Sequence, residues 1–282
     1  MKNPSELHRD MVAYWTGIGA AAWIERSERT ERMLAPVAER LLKVAKPQPG
    51  ETVLDVGCGL GPTTTELARL VGPSGRAVGL DVSHVMIEEA RRRGADLGNL
   101  EFIAADAATH SFSAPFADLL FSRFGVMFFG DPTATFANLR KALKPTARVA
   151  FACWRRMSEN PWMLKPLLAA YEHVPKLPPA EPNDPGPFAF ADQDRVTRIL
   201  TGAGYAAPRF TALDMTVDIA GGAGLDAAVH QAMTIGATRG ALQDQPDAVR
   251  AAVATAIRAA LVPHAQDGKV ELPAAVWLVE AG

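Results

Sequence analysis

Several things are scarce in this sequence, and each scarcity removes a class of function. Of its 282 residues only two are cysteine, Cys58 and Cys153. That is too few for a disulfide framework or a cysteine-ligated zinc cluster. The six histidines (8, 84, 110, 173, 230 and 264) nowhere show the H-x₃-H spacing of a helical metal site, so no metal is expected. Lysine and arginine (29) do not exceed aspartate and glutamate (31), and the net charge of −2 leaves no electrostatic footprint for nucleic acid. The one basic run, Arg91 to Arg93, precedes Gly94 and reads as a last helical turn complementing the helix dipole. No apolar run is long enough to span a bilayer: the longest, "ADLLFSRFGVMFF", is interrupted by Ser122 and Arg123. The opening "MKNPSELHRDM" lacks the apolar core of a signal peptide. A soluble cytoplasmic protein with no membrane partner is the expectation.

What is present is an ordinary globular balance, 48% hydrophobic and 21% charged, with length for one elaborated domain or two. From about residue 52 to 154, strand-like and helix-like segments alternate. "TVLDV", "RAVGLD", "LEFIAAD", "FADLLFSR" and "RVAFACW" read as five strands. Between them "TTTELARLV" has helical spacing, and "SHVMIEEARRRG" has Ser83 as N-cap and Gly94 at its end. "DPTATFANLRKALKP" starts on Asp131 with Pro132 in the first helical position, and is expected to run to Pro145. Such alternation means crossover connections and a mostly parallel sheet, with ligands beyond the carboxyl ends of the strands.

The flanks differ from this core. Residues 5 to about 45 are helical in pattern, with Leu34, Val37, Leu41 and Val44 on one stripe. The six prolines from Pro175 to Pro187 make a rigid extended loop. "TALDMTVDI" alternates as a half-buried strand of the kind added antiparallel, 222–262 is alanine-rich and helical, and "AAVWLVEA" reads as a closing buried strand. The expected architecture is a Rossmann-like, doubly wound, mostly parallel seven-stranded sheet with an antiparallel strand and a helical cap. Its divisions are an N-terminal helical lid over 1–45 and a core over 46–282, with cap insertions at about 155–190 and 222–265.

The stretch "VLDVGCGLGPTTTELA" carries the chemistry. Asp55 is followed by three alternating glycines, Gly57, Gly59 and Gly61, where a strand gives way to a helix. Bare backbone there suits a ligand that approaches the chain closely. The dinucleotide fingerprint G-x-G-x-x-G fails, because from Gly57 it requires glycine where Pro62 stands and from Gly59 where Thr64 stands. The pattern D-x-G-x-G-x-G instead resembles the first motif of the class I S-adenosylmethionine-dependent methyltransferases. Further features stand in the family's order. "VGLDVS" offers Asp81 at the end of the second strand, "FIAADAATHSF" offers Asp106 after the third, and "FSRFGVMFFGDP" follows the fourth. The segments "ENPW", "GPFAF" and "WLVEA" are more loosely similar to a bacterial small-molecule subgroup. One departure is the turn "PTAR", with Thr146 and Ala147 where relatives commonly carry glycines.

The resemblance implies S-adenosyl-L-methionine as cofactor, S-adenosyl-L-homocysteine as product, and a small organic acceptor with an oxygen, nitrogen or carbon nucleophile attacking in line. It gives Asp55 the loop and the cofactor's ammonium, Gly57, Cys58, Gly59 and Gly61 the close backbone approach, and Asp81 the ribose hydroxyls. Asp81 also reads as a helix cap, a role Ser83 already fills. Val82 and Met86 would flank adenine or ribose, with Met86 equally suited to core packing. Asp106 would accept the adenine amino group, and Ala107 would offer its amide. Ser122 and Arg123 would line the methionine end, or Arg123 would pair with a structural carboxylate. Methyl transfer is positioning chemistry that needs no general acid, and a base helps where the nucleophile enters protonated, with His8 and His230 as the candidates. Trp15, Trp23, Phe128, Trp154 and Trp162 are candidates for an acceptor pocket suited to a planar apolar molecule or to a cationic amine. The alternatives are an NAD(P)-dependent oxidoreductase and a non-catalytic S-adenosylmethionine-binding protein. The alanine-rich helices also allow a homodimer.

Overall fold

The computed structural model describes residues 2–282 except 180, 182 and 183; Pro182 of the proline-rich loop therefore lies outside the described residues. The chain begins with three helices, α1 (Pro4–Thr16), α2 (Ile18–Glu25) and α3 (Ser27–Ala45). A capping box starts the first: the Asn3 side chain accepts from the Glu6 amide while Glu6 accepts from Asn3. The stripe read on α3 is its inner face, with Leu34, Val37 and Leu41 buried.

The alternating core follows as β1 (Thr52–Val56), α4 (Pro62–Val71), β2 (Arg76–Asp81), α5 (His84–Arg93), β3 (Leu100–Ala104), β4 (Ala117–Arg123), α6 (Pro132–Arg140) and β5 (Leu143–Trp154). Ser83 and Asp131 cap α5 and α6 as their sequence positions suggest. The basic run ends α5, with Arg92 and Arg93 bonded to Glu89 and Arg91 to Phe102 O. Helix α6 stops at Arg140 instead of reaching Pro145. Leu143 already pairs with Ala117, and after a register shift Arg148 pairs with Leu119, so Thr146 and Ala147 lie in the irregular stretch between.

The remainder is α7 (Pro161–Ala170), α8 (Gln193–Gly202), β6 (Arg209–Asp218), α9 (Gly224–Thr234), α10 (Gly236–Ala241), α11 (Asp247–Leu261), β7 (Ala265–Gln266) and β8 (Lys269–Ala281). The sheet order is β3-β2-β1-β4-β5-β8-β6, with the short β7 folded onto β8. β1 to β5 pair in parallel, and β8 lies antiparallel between β5 and β6. The alternating strand β6 is thus an outer strand running with the core strands, and the one that runs against its neighbours is the closing strand β8.

The carboxyl ends of β1, β2, β3 and β4 come together at one edge of the parallel set. The helices of both chain ends gather over that edge. His8 of α1 sits directly on Gly130, where any side chain would meet His8 backbone at 2.5 Å. Farther along, Arg26 between α2 and α3 donates to Thr234 O at the end of α9 (3.1 Å).

Candidate active site

The glycine loop after β1 is shaped by left-handed backbone: Gly57, Gly59 and Gly61 have φ of 69°, 56° and 77°. At Gly57 the need is also steric, since a Cβ there would lie 2.7 Å from Gly125 Cα in the turn after β4. At Gly59 a Cβ would project into open cavity, with Trp23 Nε1 (3.8 Å) and Met86 Sδ (3.9 Å) as its nearest neighbours. Gly61 plays a different part. It caps α4 and packs under the Phe102 ring, away from the cavity.

Asp55 lies beneath this loop, fully buried. Its Oδ2 accepts from the hydroxyls of Thr63 (2.8 Å) and Thr64 (2.7 Å), tying the start of α4 to the end of β1. Its Oδ1 is buried without a partner. Desolvation pushes the carboxyl up to about 6 against the pull of the two hydroxyls. At the end of β2, Asp81 uses one oxygen for the Gly59 amide (2.9 Å) and the other for the Ser83 amide (2.9 Å). The carboxylate still reaches the cavity, and burial raises its pKa. After β3, Asp106 Oδ1 accepts from the Ala108 amide (2.9 Å), and Oδ2 lies 2.6 Å from His8 Nε2 of α1. Asn138 of α6 donates to Ala107 O and His110 O, which fixes the loop that carries Asp106. Cys58 belongs to the same loop with its side chain packed among Ile87, Ala90 and Phe102, and burial raises its thiol well above the ordinary value, leaving no thiolate for nucleophilic work.

Past β4 the two neighbouring polar residues part company. Ser122, expected to face a ligand, faces backbone: its hydroxyl donates to Val56 O (2.7 Å) and accepts from the Gly125 amide (3.2 Å). The apolar run tolerates it because both bonds are internal. Arg123 lines the cavity with its charge answered by Glu31 of α3 (2.7 Å). Phe124 then holds φ at 65°, a left-handed conformation costly for a ring-bearing residue. In return its ring stacks on Trp154 at 4.3 Å and 9°.

These groups share one cavity of about 400 Å³. Gly57, Cys58, Gly59, Asp81, Val82 and Met86 line one end, with Asp106 and Ala107 beside them. Aromatic rings run from there to the other end, Trp15 and Trp23 packing beside Leu60 and Met86. Trp15 stands edge-on to Phe128 (5.0 Å) and Trp23 (6.1 Å), while Trp154 and Trp162 lie 5.1 Å apart. All five aromatic candidates are therefore brought together. His230 is not. It is exposed and lines a separate cleft of about 350 Å³ between α2 and the helices α9 to α11, which leaves it outside the cavity as a base. Asp55, Gly61 and Ser122 stand behind the wall and shape it.

Sequence reasoning did not find Tyr14, Arg26, Glu31, Phe124 or Gln231, all of which line the cavity. Glu31 and Gln231 sit on segments whose helical pattern was legible but whose partners lie far along the chain. Phe124 had one available signal, the polar pair immediately before it at a strand end.

Residues 53–146 match a protein family described as "Methyltransferase domain". The chain is 33% identical over 181 residues to aklanonic acid methyltransferase DauC of Streptomyces sp. (strain C5), covering 61% of this chain and 82% of that protein. It is 36% identical over 118 residues to nocamycin O-methyltransferase of Saccharothrix syringae, covering 40% of this chain and 41% of that one. Among solved structures, the YcgJ protein of Bacillus subtilis superposes with a TM-score of 0.55 at 14% identity, covering 86% and 96% of the two chains, which speaks for the fold.

Proposed function

The chain belongs to the S-adenosylmethionine-dependent methyltransferases, and on that premise we propose that its cavity seats the cofactor at the glycine-loop end and a planar acceptor at the aromatic end. It is an enzyme that transfers a methyl group from S-adenosylmethionine to a small organic acceptor. One observation carries the assignment of the two ends: the glycine loop, Asp81 and Asp106 open into the same cavity as five aromatic side chains.

The residues fit the cofactor. Gly59 leaves room against its backbone, and the space between Trp23 and Met86 is the kind a flat or extended ligand fills. Asp81, buried and still reaching the cavity, is a two-oxygen acceptor for a pair of ribose hydroxyls. Asp106 accepts the adenine amino group beside the Ala107 amide, and Val82 and Met86 flank the ring. When bound, the cofactor supplies an electrophilic methyl group on a positively charged sulfur.

The chain's own task is then to align and to exclude water. Trp15, Trp23 and Phe128 close one side with α1 and α2, and Trp154 and Trp162 close the other. His8 links α1 to Asp106, so the lid helix closes on the cofactor end; its part is to hold the lid. Arg123 is neutralised by Glu31 and keeps the turn after β4 in place. The small enclosed space and the near-neutral charge favour a small acceptor over a nucleic acid. Among the described residues no helix is long and apolar enough to cross a membrane, and we place the enzyme in the cytoplasm.

Calorimetric titration with S-adenosylhomocysteine and, in parallel, with NADH tests the cofactor end. Micromolar binding of the first alone is expected, and binding of NADH alone would overturn it. Transfer of label from methyl-labelled S-adenosylmethionine to hydroxylated naphthalenes tests the acceptor end, where transfer to aliphatic amines in preference to aromatic rings would overturn the planar reading.

A further inference from the structure

The aromatic wall of the cavity holds a cation that no carboxylate among the described residues answers. Arg26 is only 6% exposed. Its Nη1 donates to Thr234 O, and its guanidinium lies 5.6 Å from the centre of the Trp23 ring. No carboxylate among the described residues pairs with it, and its buried Nε has no partner. Burial pushes its pKa below the ordinary value, and the neighbouring charges of Arg239 and Arg29 act in the same direction against Tyr14 and Glu25. Arg123, the other arginine of this cavity, differs in having Glu31. A buried ionised group without a partner is strongly destabilising unless something answers it.

Beside Arg26 stand two more buried polar groups. Gln231 of α9 and Thr30 of α3 are 1% and 2% exposed, and both line the cavity. Gln231 Nε2 donates to Thr30 Oγ1 at 3.4 Å, which leaves Oε1 buried and unpartnered. Turning the amide over lets Thr30 donate to Oε1 and frees the NH₂ as a second donor. Arg26 also borders the separate cleft that holds His230, but Gln231 and Thr30 belong to the main cavity alone, and that decides which side the cluster serves.

We propose that Arg26, assisted by Gln231 and Thr30, binds a carboxylate on the acceptor, so that the substrate is an aromatic acid. This rests on the aromatic end being the acceptor site, and it goes further by fixing the acceptor's charge. A cationic amine is excluded by the same guanidinium. Arg26 and Gln231 bring donors to one stretch of the cavity wall, with which the two oxygens of a carboxylate can pair.

The test uses the full chain loaded with S-adenosylhomocysteine, titrated with 1-hydroxy-2-naphthoate and with the matching carboxamide. The acid is expected to bind wild type roughly 10- to 100-fold more tightly than the amide. That preference should vanish in Arg26→Gln and survive in part in Arg26→Lys, with the affinity for S-adenosylhomocysteine unchanged in both. Equal binding of acid and amide to wild type overturns the proposal, as does an acid preference that persists in Arg26→Gln. Should Arg26→Gln keep the wild-type circular dichroism and unfolding midpoint yet lose affinity for S-adenosylhomocysteine, the guanidinium serves the cofactor's own carboxylate and the proposal is overturned; should it misfold, Gln231→Leu decides: a reduced acid preference supports the cluster and an undiminished one overturns it. If neither naphthalene binds while S-adenosylhomocysteine does, the planar-acceptor reading falls and takes this one with it. Two rings bound equally well sink the carboxylate alone.

Discussion

At the glycine-loop end of the cavity, Asp81 has both carboxylate oxygens bonded to chain amides, whereas at the aromatic end Arg26 and Gln231 each keep a buried polar atom with no partner. The first end is a pre-built cradle, rigid before any ligand arrives. The second is incomplete, and a ligand finishes it. The two arrangements suit two tasks. A cofactor common to many reactions is recognised by fixed backbone geometry, while an acceptor is selected by an unpaired charge inside an aromatic wall.

Removing the partner that Arg123 enjoys would erase the contrast. In Glu31→Gln a second buried guanidinium stands unpaired, and we expect a loss of roughly 3–4 kcal/mol in denaturant unfolding. Lysine at 123 in place of arginine, with Glu31 kept, should recover most of it.

Asp55 sharpens the contrast from the other side, because its Oδ1 is a buried oxygen beneath the cradle that no donor among the described residues answers. Unfolded, it ionises at the ordinary 3.8; folded, it keeps its proton to about 6. The folded chain binds more protons between those values, so stability relative to Asp55→Asn should fall as pH rises from about 4 to about 7, by up to about 3 kcal/mol, and stay level above. Unfolding midpoints of both proteins across that range check the sign. Wild-type stability that rises with pH relative to Asp55→Asn would contradict it.

Breaking the cradle itself should be felt by one ligand only. Asp81→Asn keeps a carbonyl oxygen for one of the two amides and sets an NH₂ against the other, and affinity for S-adenosylhomocysteine should drop roughly 30-fold, about 2 kcal/mol. The acid-to-amide preference at the far end should not move. The smallest effect belongs to His8→Ala, which unhooks α1 from Asp106. Dissociation of S-adenosylhomocysteine, followed by stopped flow, should quicken by roughly three- to tenfold with no change in the unfolding midpoint.

The same comparison explains what the sequence disclosed. The cradle is written in short contiguous runs: a strand, three glycines and a helix, then Asp81 and Asp106 at the next strand ends, each decided by neighbours a few positions away. The aromatic end is assembled from residues such as Thr30 and Gln231, which meet across 201 positions, or Arg26 and Thr234, across 208. Local periodicity revealed the helices that carry them but says nothing of what those helices touch. Tryptophans betrayed the aromatic wall because they are rare and large. Arg26 gave no sign, since one arginine in "WIERSERTER" looks like any other until burial singles it out. Ser122 misled for a related reason: a polar residue in an apolar run signals a hydrogen bond, and the partner proved to be Val56 O in the adjacent strand. The placing of β8 between β5 and β6 was hidden too, since strand order is a matter of long-range pairing that no single segment encodes.

That placing has a bearing on how the chain reaches its fold. Among the described residues β6 has β8 as its strand partner, through pairs from Asp218–Glu271 to Arg209–Glu280, some 53 to 71 positions apart. Until β8 arrives, β5 offers an open edge on one side and β6 has nothing to join. Helices α9 to α11 lie in the interval between them, so the segment that supplies Gln231 must be threaded over the sheet before its outer strand can lock. Non-local pairing of this kind is slow and leaves strand edges exposed while it waits. The cradle, made wholly from β1 to β4, has no such dependence and can form first. During refolding, then, affinity for S-adenosylhomocysteine should return before the acceptor end closes, and the bound nucleoside would act as a template on which the later half of the molecule assembles.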